Sequence, residues 1–547
     1  MNGIERVGSE FYHYGNASSS ISVKPSFPSL QTLTFEWMDN WKKWLCCGCR
    51  RGEFPHLQEL YMRHCPKLTG KLPKQLRSLK KLEIVGCPQL LVPSLKVPAI
   101  SKLMMVDCGK LQLKRPDSGF IALQTSLVKI SNTSQWKQLP VGVHSLSITE
   151  CDSVETLIEE EPLQSKTCVL KDLQITNCCL SRSLRRVGLP TNALQSLEIS
   201  HCSKLEFLLP VLLRCHHPFL KYILIGDSTC DFLSLFFSLS FFPRLNQFEI
   251  YNLEGLEFLS ILSSAGDPRS LNYLDIQECP DIVYIELPAL DSATYVISRC
   301  LKLKLLKHTL STLESLNLRG CPELLFQRDG LPSNLRELLI SSCNLLTSQV
   351  DWGLQRLASL TMFTIKDGCQ DMESFPDECL LPSTVTTLRI KRLPNLRSLD
   401  SKGLQQLTSL SDLDIGKCPE FQSFGEEGLQ HLTSLTTLSI SNCSKLRSLG
   451  EEGLQHLTSL KSLSISGCHE LESLTEAGLQ RIISLENLQI SDCPKLQYLT
   501  KERLPNSLSH LSVDKCSLLE RCCQFGKGQD WQHIAHIPHI IINDEIY

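Results

Sequence analysis

Gly428-Leu429-Gln430-His431-Leu432-Thr433-Ser434-Leu435-Thr436-Thr437-Leu438-Ser439-Ile440-Ser441-Asn442-Cys443 is one copy of a phrase written four times in succession. Gly403-Leu404-Gln405, Gly453-Leu454-Gln455 and Gly478-Leu479-Gln480 open the other copies, which close on Cys418, Cys468 and Cys493. The four cysteines stand 25 residues apart. Within a copy, Leu438 and Ile440 are two residues apart, so an extended strand carries both on one face. The stretch before them is too short for a long crossover helix. Gly428-Leu429-Gln430-x-Leu432-x-x-Leu435 spaces its leucines by three and three, which predicts about one and a half helical turns.

Outward from these copies the phrase recurs along nearly the whole chain. Slots equivalent to Cys443 fall at Met38, Cys65, Cys87, Cys108, Thr133, Cys151, Cys178, Cys202, Ser228, Leu253, Cys279, Cys300, Cys321, Cys343, the displaced Cys369, Leu393 and, past the four copies, Cys516. That makes about 21 repeats with a mean period of about 24, and Leu-x-x-Leu-x-Leu-x-x-Asn/Cys at this period is the leucine-rich-repeat phrase. The expected fold is an α/β repeat solenoid: a leucine-rich-repeat horseshoe with a parallel β-sheet on its concave face and turns and short helices on its convex face. Proline after the cysteine (Pro66, Pro88, Pro280, Pro322, Pro419, Pro494) turns the chain off the strand. Expected boundaries are a polar lead-in over 1–28, the solenoid over 29–523 and a capping segment over 524–547. The N-terminal end begins inside the phrase, as expected of a region that something precedes.

Composition narrows the function classes. A net charge of −3 with 21% charged residues is no polyanion-binding signature, so neither nucleic acid nor a membrane surface is expected as a partner. The most apolar run, Phe232 to Phe242, is eleven residues long and carries three serines, against the roughly 20 residues a spanning helix needs. Met1-Asn2-Gly3-Ile4-Glu5-Arg6 has no apolar signal-peptide core. The expected compartment is the cytoplasm.

The 26 cysteines are placed by the repeat. Cys65, Cys87, Cys108, Cys151, Cys178, Cys202, Cys279, Cys300, Cys321, Cys343, Cys418, Cys443, Cys468, Cys493 and Cys516 read as a buried structural ladder, small and apolar with a weak S–H donor. Stacked strands would also bring neighbouring slots within disulfide range; a reducing compartment and the unbroken run argue for free thiols. Cys46-Cys47-Gly48-Cys49 lacks the second pair that a zinc site wants. His533, His536 and His539 lie on a segment expected to be irregular and partly exposed. Phosphate-binding, dinucleotide-binding, zinc-hydrolase and nucleophile-elbow motifs are absent from the sequence. Glu426-Glu427 and Glu451-Glu452 read as a solvated convex face. The expectation is therefore a protein without catalytic residues, cofactor or metal.

What remains is surface. In x-Leu-x-Ile-x the three x residues point to the concave side. Late copies carry Ser and Thr there. Earlier ones carry Glu59, Tyr61 and Arg63 beside Lys81 and Glu83, then Gln247, Glu249 and Tyr251 beside Tyr273, Asp275 and Gln277; Thr387, Arg389 and Lys391 form a basic rung. Tyr and Arg are frequent anchors of protein interfaces. These positions are the candidate protein-binding residues, weighed against ordinary solvated strand positions.

Three features carry a family resemblance: Val7-Gly8-Ser9-Glu10-Phe11-Tyr12 leading to Phe27-Pro28-Ser29-Leu30 with Trp41 and Trp44; the recurrent Leu-x-Ile-x-x-Cys-Pro-x-Leu of Leu82 to Leu90 and Leu488 to Leu496; and the ending Trp531-x-x-Ile534-x-x-Ile537-Pro538-x-Ile540-x-Ile542. With these the chain resembles the C-terminal leucine-rich-repeat region of plant intracellular disease-resistance receptors, the nucleotide-binding class with an N-terminal coiled coil. The resemblance implies a repeat region that senses a pathogen effector or a guarded host protein and restrains a nucleotide-binding domain preceding it. The sequence has no phosphate-binding loop, so nucleotide binding is not carried over. Two alternatives stay open. One is a secreted or cell-surface repeat receptor, for which Leu68-Thr69-Gly70-Lys71-Leu72-Pro73 and the glycosylation acceptors Asn16 and Asn132 speak, whereas Asn442 abuts the buried slot, where a glycan would not fit. The other is an adaptor-type repeat protein.

Overall fold

The computed structural model describes residues 4–8, 11, 27–45, 54–70, 72–73, 76–90, 92–93, 102–108, 111–112, 127–130, 144–149, 170–178, 193–205, 215–231, 233–263, 270–288, 293–308, 313–324, 331–343, 353–425, 428–450 and 453–546. The Cys46–Cys49 run, most of the lead-in, the Thr133 and Cys151 slots, Asn16, Asn132 and both acidic pairs lie outside the described residues.

The chain forms two compact units, residues 1–256 with 263–271 and residues 257–262 with 272–547. The uninterrupted repeat phrase gives no sign of this division. In the first, the strands Thr32–Glu36, Glu59–Arg63, Lys81–Cys87 and Lys102–Cys108 pair in parallel. So do Leu127–Ile130, Ser145–Thr149, Asp172–Thr176, Ser196–Ser200, Tyr222–Thr229 and Gln247–Glu254. In the second, eleven parallel strands run from Tyr273–Gln277 to His510–Asp514. A leucine-rich-repeat solenoid accounts for this order: one strand per repeat, each beside its predecessor.

Register follows the apolar pair. Leu413 faces Leu438, Leu438 faces Leu463 and Leu463 faces Leu488, while Ile415, Ile440, Ile465 and Ile490 do the same two residues on. All eight side chains are buried. A one-residue slip would turn every one of them outward, so the buried face fixes the pairing.

Most described strands of the slot register end on a left-handed residue immediately before the slot. Trp37, His64, Asn177, His201, Asp227, Asn252, Glu278, Arg299, Ser342, Arg392, Lys417, Asn442, Asp492 and Lys515 all have positive φ, and Gly86, Gly320 and Gly467 hold the same place in their repeats. Hydrogen bonding shows what this achieves. The N–H of the left-handed residue still donates to the neighbouring strand, as Asn442 N to Ser466 O at 2.7 Å and Lys417 N to Ser441 O at 2.7 Å. The chain then reverses its facing direction, so Cys443 turns inward instead of outward. A closing turn follows, with Leu446 N donating to Cys443 O at 3.2 Å.

The connections match the expected helical turns only in part: the fourth copy carries a 3-10 helix, Leu479–Arg481, while the two middle copies carry turns. Residues 428–431 are turn, closed by Leu432 N to Leu429 O (3.1 Å) and Leu435 N to Leu432 O (3.0 Å). Leucines three apart suit such three-residue turns better than a 3.6-residue helix. Only the first copy makes an α-helix, Ser401–Gln405, because Asp400 caps it by accepting from Gly403 N at 2.9 Å. The equivalent positions of the next two copies are Gly425 and Gly450, both at positive φ. The glycine that opens a copy is a matter of space: a Cβ on Gly428 would overlap the Phe424 carbonyl oxygen, and one on Gly403 that of Pro376.

A further parallel sheet within the second unit, Phe258–Leu262 with Tyr284–Leu287 and Leu305–His308, lies outside the slot register. Phe35, Trp41, Trp44 and Phe54 pack as a buried aromatic cluster in the first repeats, with ring centroids 4.7 Å apart for Phe35 and Trp41. At the other end, a short helix Trp531–Ile534 precedes the strand His539–Ile542, which extends the sheet, and Glu545–Ile546 folds back antiparallel. Asp530 is buried there and accepts from Leu499 N at 3.0 Å. His533 is helical, which is more regular than expected, while Ile540-x-Ile542 adds a terminal strand as its alternation implies; His539 opens that strand, its ring stacked on His510 at 4.8 Å. Among the described residues no helix is long and apolar enough to cross a membrane.

Candidate functional site

Alternation divides each strand into a buried face and an open one. In Glu59–Arg63, Leu60 and Met62 are fully buried while Glu59, Tyr61 and Arg63 are half-exposed. The open face is where side chains are free to meet a partner.

Its first patch is a closed charge network. Arg63 bridges Glu36 Oε1 (2.5 Å) and Glu83 Oε1 (2.6 Å), and Lys81 lies 3.7 Å from Glu83. The Tyr61 ring sits between the cations, 4.7 Å from Lys81 Nζ and 5.0 Å from the Arg63 guanidinium, and its hydroxyl donates to Glu59 at 2.9 Å. Contact with Tyr61 raises the Lys81 pKa, and burial opposes it. Beside this patch stands Trp37, 63% exposed and stacked on His64 at 4.1 Å. Trp37 lies at the left-handed corner, one residue beyond the x-Leu-x-Ile-x window, so the strand pattern passes over it.

The second patch is acidic and aromatic. Gln247 donates to Glu249, and Tyr222 donates to the same carboxylate at 3.3 Å. The Tyr251 ring packs over Gly226, where any side chain would collide with it. Burial, then the Asp227 carboxylate, push the Tyr251 hydroxyl up to about 12; burial followed by Glu249 raises Tyr222. Tyr222 and Glu198 were not among the sequence candidates, although both occupy x positions of their repeats.

In the second unit, Tyr273 and Gln277 both donate to Asp275 Oδ2, at 3.0 and 2.7 Å. Further along the same sheet, Lys391 pairs with Asp414, and Arg389 rests 4.0 Å from the Met362 sulfur. The sequence candidates therefore fall in separate patches of the open face, not in one pocket.

The cysteine slots lie behind this face. Among the described residues, Cys65, Cys87, Cys178, Cys202, Cys279, Cys300, Cys321, Cys343, Cys418, Cys443, Cys468, Cys493 and Cys516 are buried free thiols. Each donates to the carbonyl two residues earlier, as Cys493 to Ser491 O at 3.3 Å and Cys443 to Ser441 O at 3.6 Å. Burial and the neighbouring Cys418 push the Cys443 thiol up to about 12. Cys108 ends a described strand, but its side chain, like all of Cys151, lies outside the described residues.

The fold and register define a leucine-rich-repeat protein whose chemistry-bearing side chains are displayed on a sheet. Comparison with known proteins narrows the class. Residues 353–494 match the family described as plant disease resistance protein RPS2-like, leucine-rich repeats. The chain is 27% identical to the Arabidopsis thaliana disease resistance protein At3g14460, over 76% of this chain and 39% of that protein. It is 30% identical to the RPP13-like disease resistance protein 1 of the same plant, over 32% of this chain and 18% of that one. Residues 353–494 are thus similar to plant disease-resistance repeats, and the chain spans about two-fifths or less of the relatives it matches. Among solved structures it is similar to the circular leucine-rich-repeat protein CroV588 (14% identity, 88% of this chain, 75% of that one, TM-score 0.38) and to the ectodomain of the Arabidopsis thaliana receptor kinase GASSHO1/SCHENGEN3 (13%, 89% and 65%, TM-score 0.26).

Proposed function

We infer that the chain is a non-catalytic recognition scaffold acting in plant defence, and that it binds protein through the open face of its sheets. One observation carries the reading. The interior is spent on a uniform Leu, Ile and Cys ladder, while Tyr, Arg, Lys and Glu are gathered on the open face at Tyr61, Arg63, Lys81, Tyr222, Glu249 and Tyr251. A repeat scaffold varies its surface over a constant core. The relatives' assignment to disease resistance supports a pathogen effector or a guarded host protein as the partner, with a nucleotide-binding domain as an intramolecular one. The cytoplasm is the matching compartment.

Proximity labelling in leaf cells tests this. The wild-type chain is compared with Tyr61→Ala/Arg63→Ala, with Tyr222→Ala/Tyr251→Ala, and with a control away from the open face, Lys445→Ala. The expected result is a discrete set of labelled proteins that the control retains and an open-face pair loses. Identical labelling by all four proteins would overturn the reading.

A further inference from the structure

On the open face of the first unit, two tyrosine rings flank one leucine. Tyr222, Leu224 and Gly226 follow one another in the alternation of the strand Tyr222–Thr229. Tyr251, on the next strand, pairs in register with Gly226 and lays its ring over it, since glycine has no side chain to hold the ring off. Leu224 stands half-exposed between the rings. In register with Leu224, Glu198 occupies the strand on one side and Glu249 the strand on the other. Two strand steps separate their backbones, roughly 10 Å at about 4.8 Å per step. Each carboxylate raises the pKa of both tyrosine hydroxyls, so the four side chains share one electrostatic neighbourhood above Leu224.

Both carboxylates are half-exposed. Glu249 accepts from Tyr222 and Gln247, and among the described residues no Lys or Arg is within salt-bridge distance of Glu198 or Glu249. His201, at the rim, faces Asp227 at 3.6 Å. The surrounding strands bring no counter-charge either. The x-Leu-x-Ile-x windows that begin at Asp172, Ser196, Tyr222 and Gln247 place no Lys or Arg on the open face, and Asp172 adds a further carboxylate. The first patch of the same unit shows the completed form of this set. There the Tyr61 ring has Arg63 and Lys81 beside it, and Arg63 bridges Glu36 and Glu83. Around Tyr222 and Tyr251 the rings and the carboxylates are present, and among the described residues no cation lies over either ring.

We propose that this recess takes an arginine side chain of a protein partner, with its methylene stem on Leu224, its guanidinium against the Tyr251 ring and its N–H groups donating to Glu198 and Glu249. The proposal rests on the reading of the open face as a recognition surface and names the partner's chemistry in the first unit. Charge complementarity selects a basic segment: an acidic partner would set carboxylate against carboxylate. The shape of the recess selects arginine over lysine. A planar guanidinium stacks on a flat ring and spreads five donors between carboxylates on two sides, whereas an ammonium is a compact point charge. The apolar floor accepts the stem while the charged head stays at the half-exposed carboxylates.

Fluorescence polarisation of labelled Gly/Ser peptides tests it on the full chain. The probes carry paired Arg, paired Lys or paired citrulline, the neutral isostere of arginine. At low ionic strength the Arg peptide should bind at least tenfold more tightly than the citrulline peptide, and more tightly than the Lys peptide. Glu198→Gln/Glu249→Gln should remove that advantage. Tyr222→Phe/Tyr251→Phe keeps the rings and should keep most of the binding, while Tyr222→Leu/Tyr251→Leu should lose it. Glu373→Gln/Glu378→Gln removes equal charge from the Arg397 and Lys402 pairs, off the open-face strands, and should change nothing. Equal binding of the Arg and citrulline peptides, equal binding of Arg and Lys, no binding of any probe, indifference to the Glu198/Glu249 or Tyr→Leu pair, or an equal loss in the Glu373/Glu378 control would each overturn the proposal. Glu198→Gln, at a half-exposed side chain, carries the test alone if a double variant fails to fold. Leaf-cell labelling that is lost on Tyr61→Ala/Arg63→Ala or Tyr222→Ala/Tyr251→Ala but unchanged by Glu198→Gln/Glu249→Gln would sink this proposal and leave the recognition reading standing.

Discussion

At the residue scale, the account rests on which side chains turn inward. Ile440 is fully buried between Ile415 and Ile465, so Ile440→Ala is expected to cost ~2–5 kcal/mol in a urea titration, as for other buried aliphatic truncations. The thiols add a pH dependence. Burial raises Cys443 to about 12 and raises Cys418 as well, from the ordinary thiol value of 9.0. Above pH 9 the unfolded thiols have lost protons that the folded ones keep, so stability is full below that pH and falls as pH rises towards 12. Replacing both with Ala should flatten the alkaline limb of the pH–Tm curve; an unchanged limb would contradict the burial argument. The left-handed corners make a third prediction. Lys417 has φ 57, where a β-branched residue is strained. Lys417→Val should lower the denaturation midpoint and Lys417→Gly should hold or raise it. Inward Leu, Ile and Cys were legible in the sequence because period and burial coincide. These corners were not, because residues as unlike as Trp37, His64 and Lys417 hold one conformation, tied by a hydrogen bond to the neighbouring strand.

At the element scale, the strands were legible and the connections only partly so. Leu-x-Ile marks a strand whatever surrounds it. The same pattern in Leu259-x-Ile261 and Ile285-x-Leu287 went unused, because no cysteine slot follows it, and with it went the additional sheet of the second unit. Leucines three apart suit both a helical turn and successive three-residue turns, and a single cap decides between them. Asp400→Ala should therefore remove the one α-helix of the four copies and cost about 0.5–2 kcal/mol, read by urea denaturation. If the cost is nil, the Asp400 contact to Gly403 is not what selects the helix. The patches were legible as types and not as partnerships: Tyr61, Arg63, Lys81 and Glu83 could be placed on one face, while the bridging of Glu36 and Glu83 by Arg63 depends on rotamers that strand pairing sets.

At the scale of the whole molecule, the protein separates a uniform interior from a varied surface. Stability in such a chain is close to a sum over repeats and their neighbours, so damage to one rung of the ladder is felt in folding, and damage to one open-face patch in recognition. The most direct test is a paired measurement of melting temperature and leaf-cell partner labelling on two variants. Cys443→Ala/Cys468→Ala should lower Tm and keep the labelled set. Tyr222→Ala/Tyr251→Ala should change the labelled set and leave Tm far less affected. If the cysteine pair changes the labelled set at unchanged Tm, or the tyrosine pair lowers Tm while labelling persists, interior and surface do not divide the work as described.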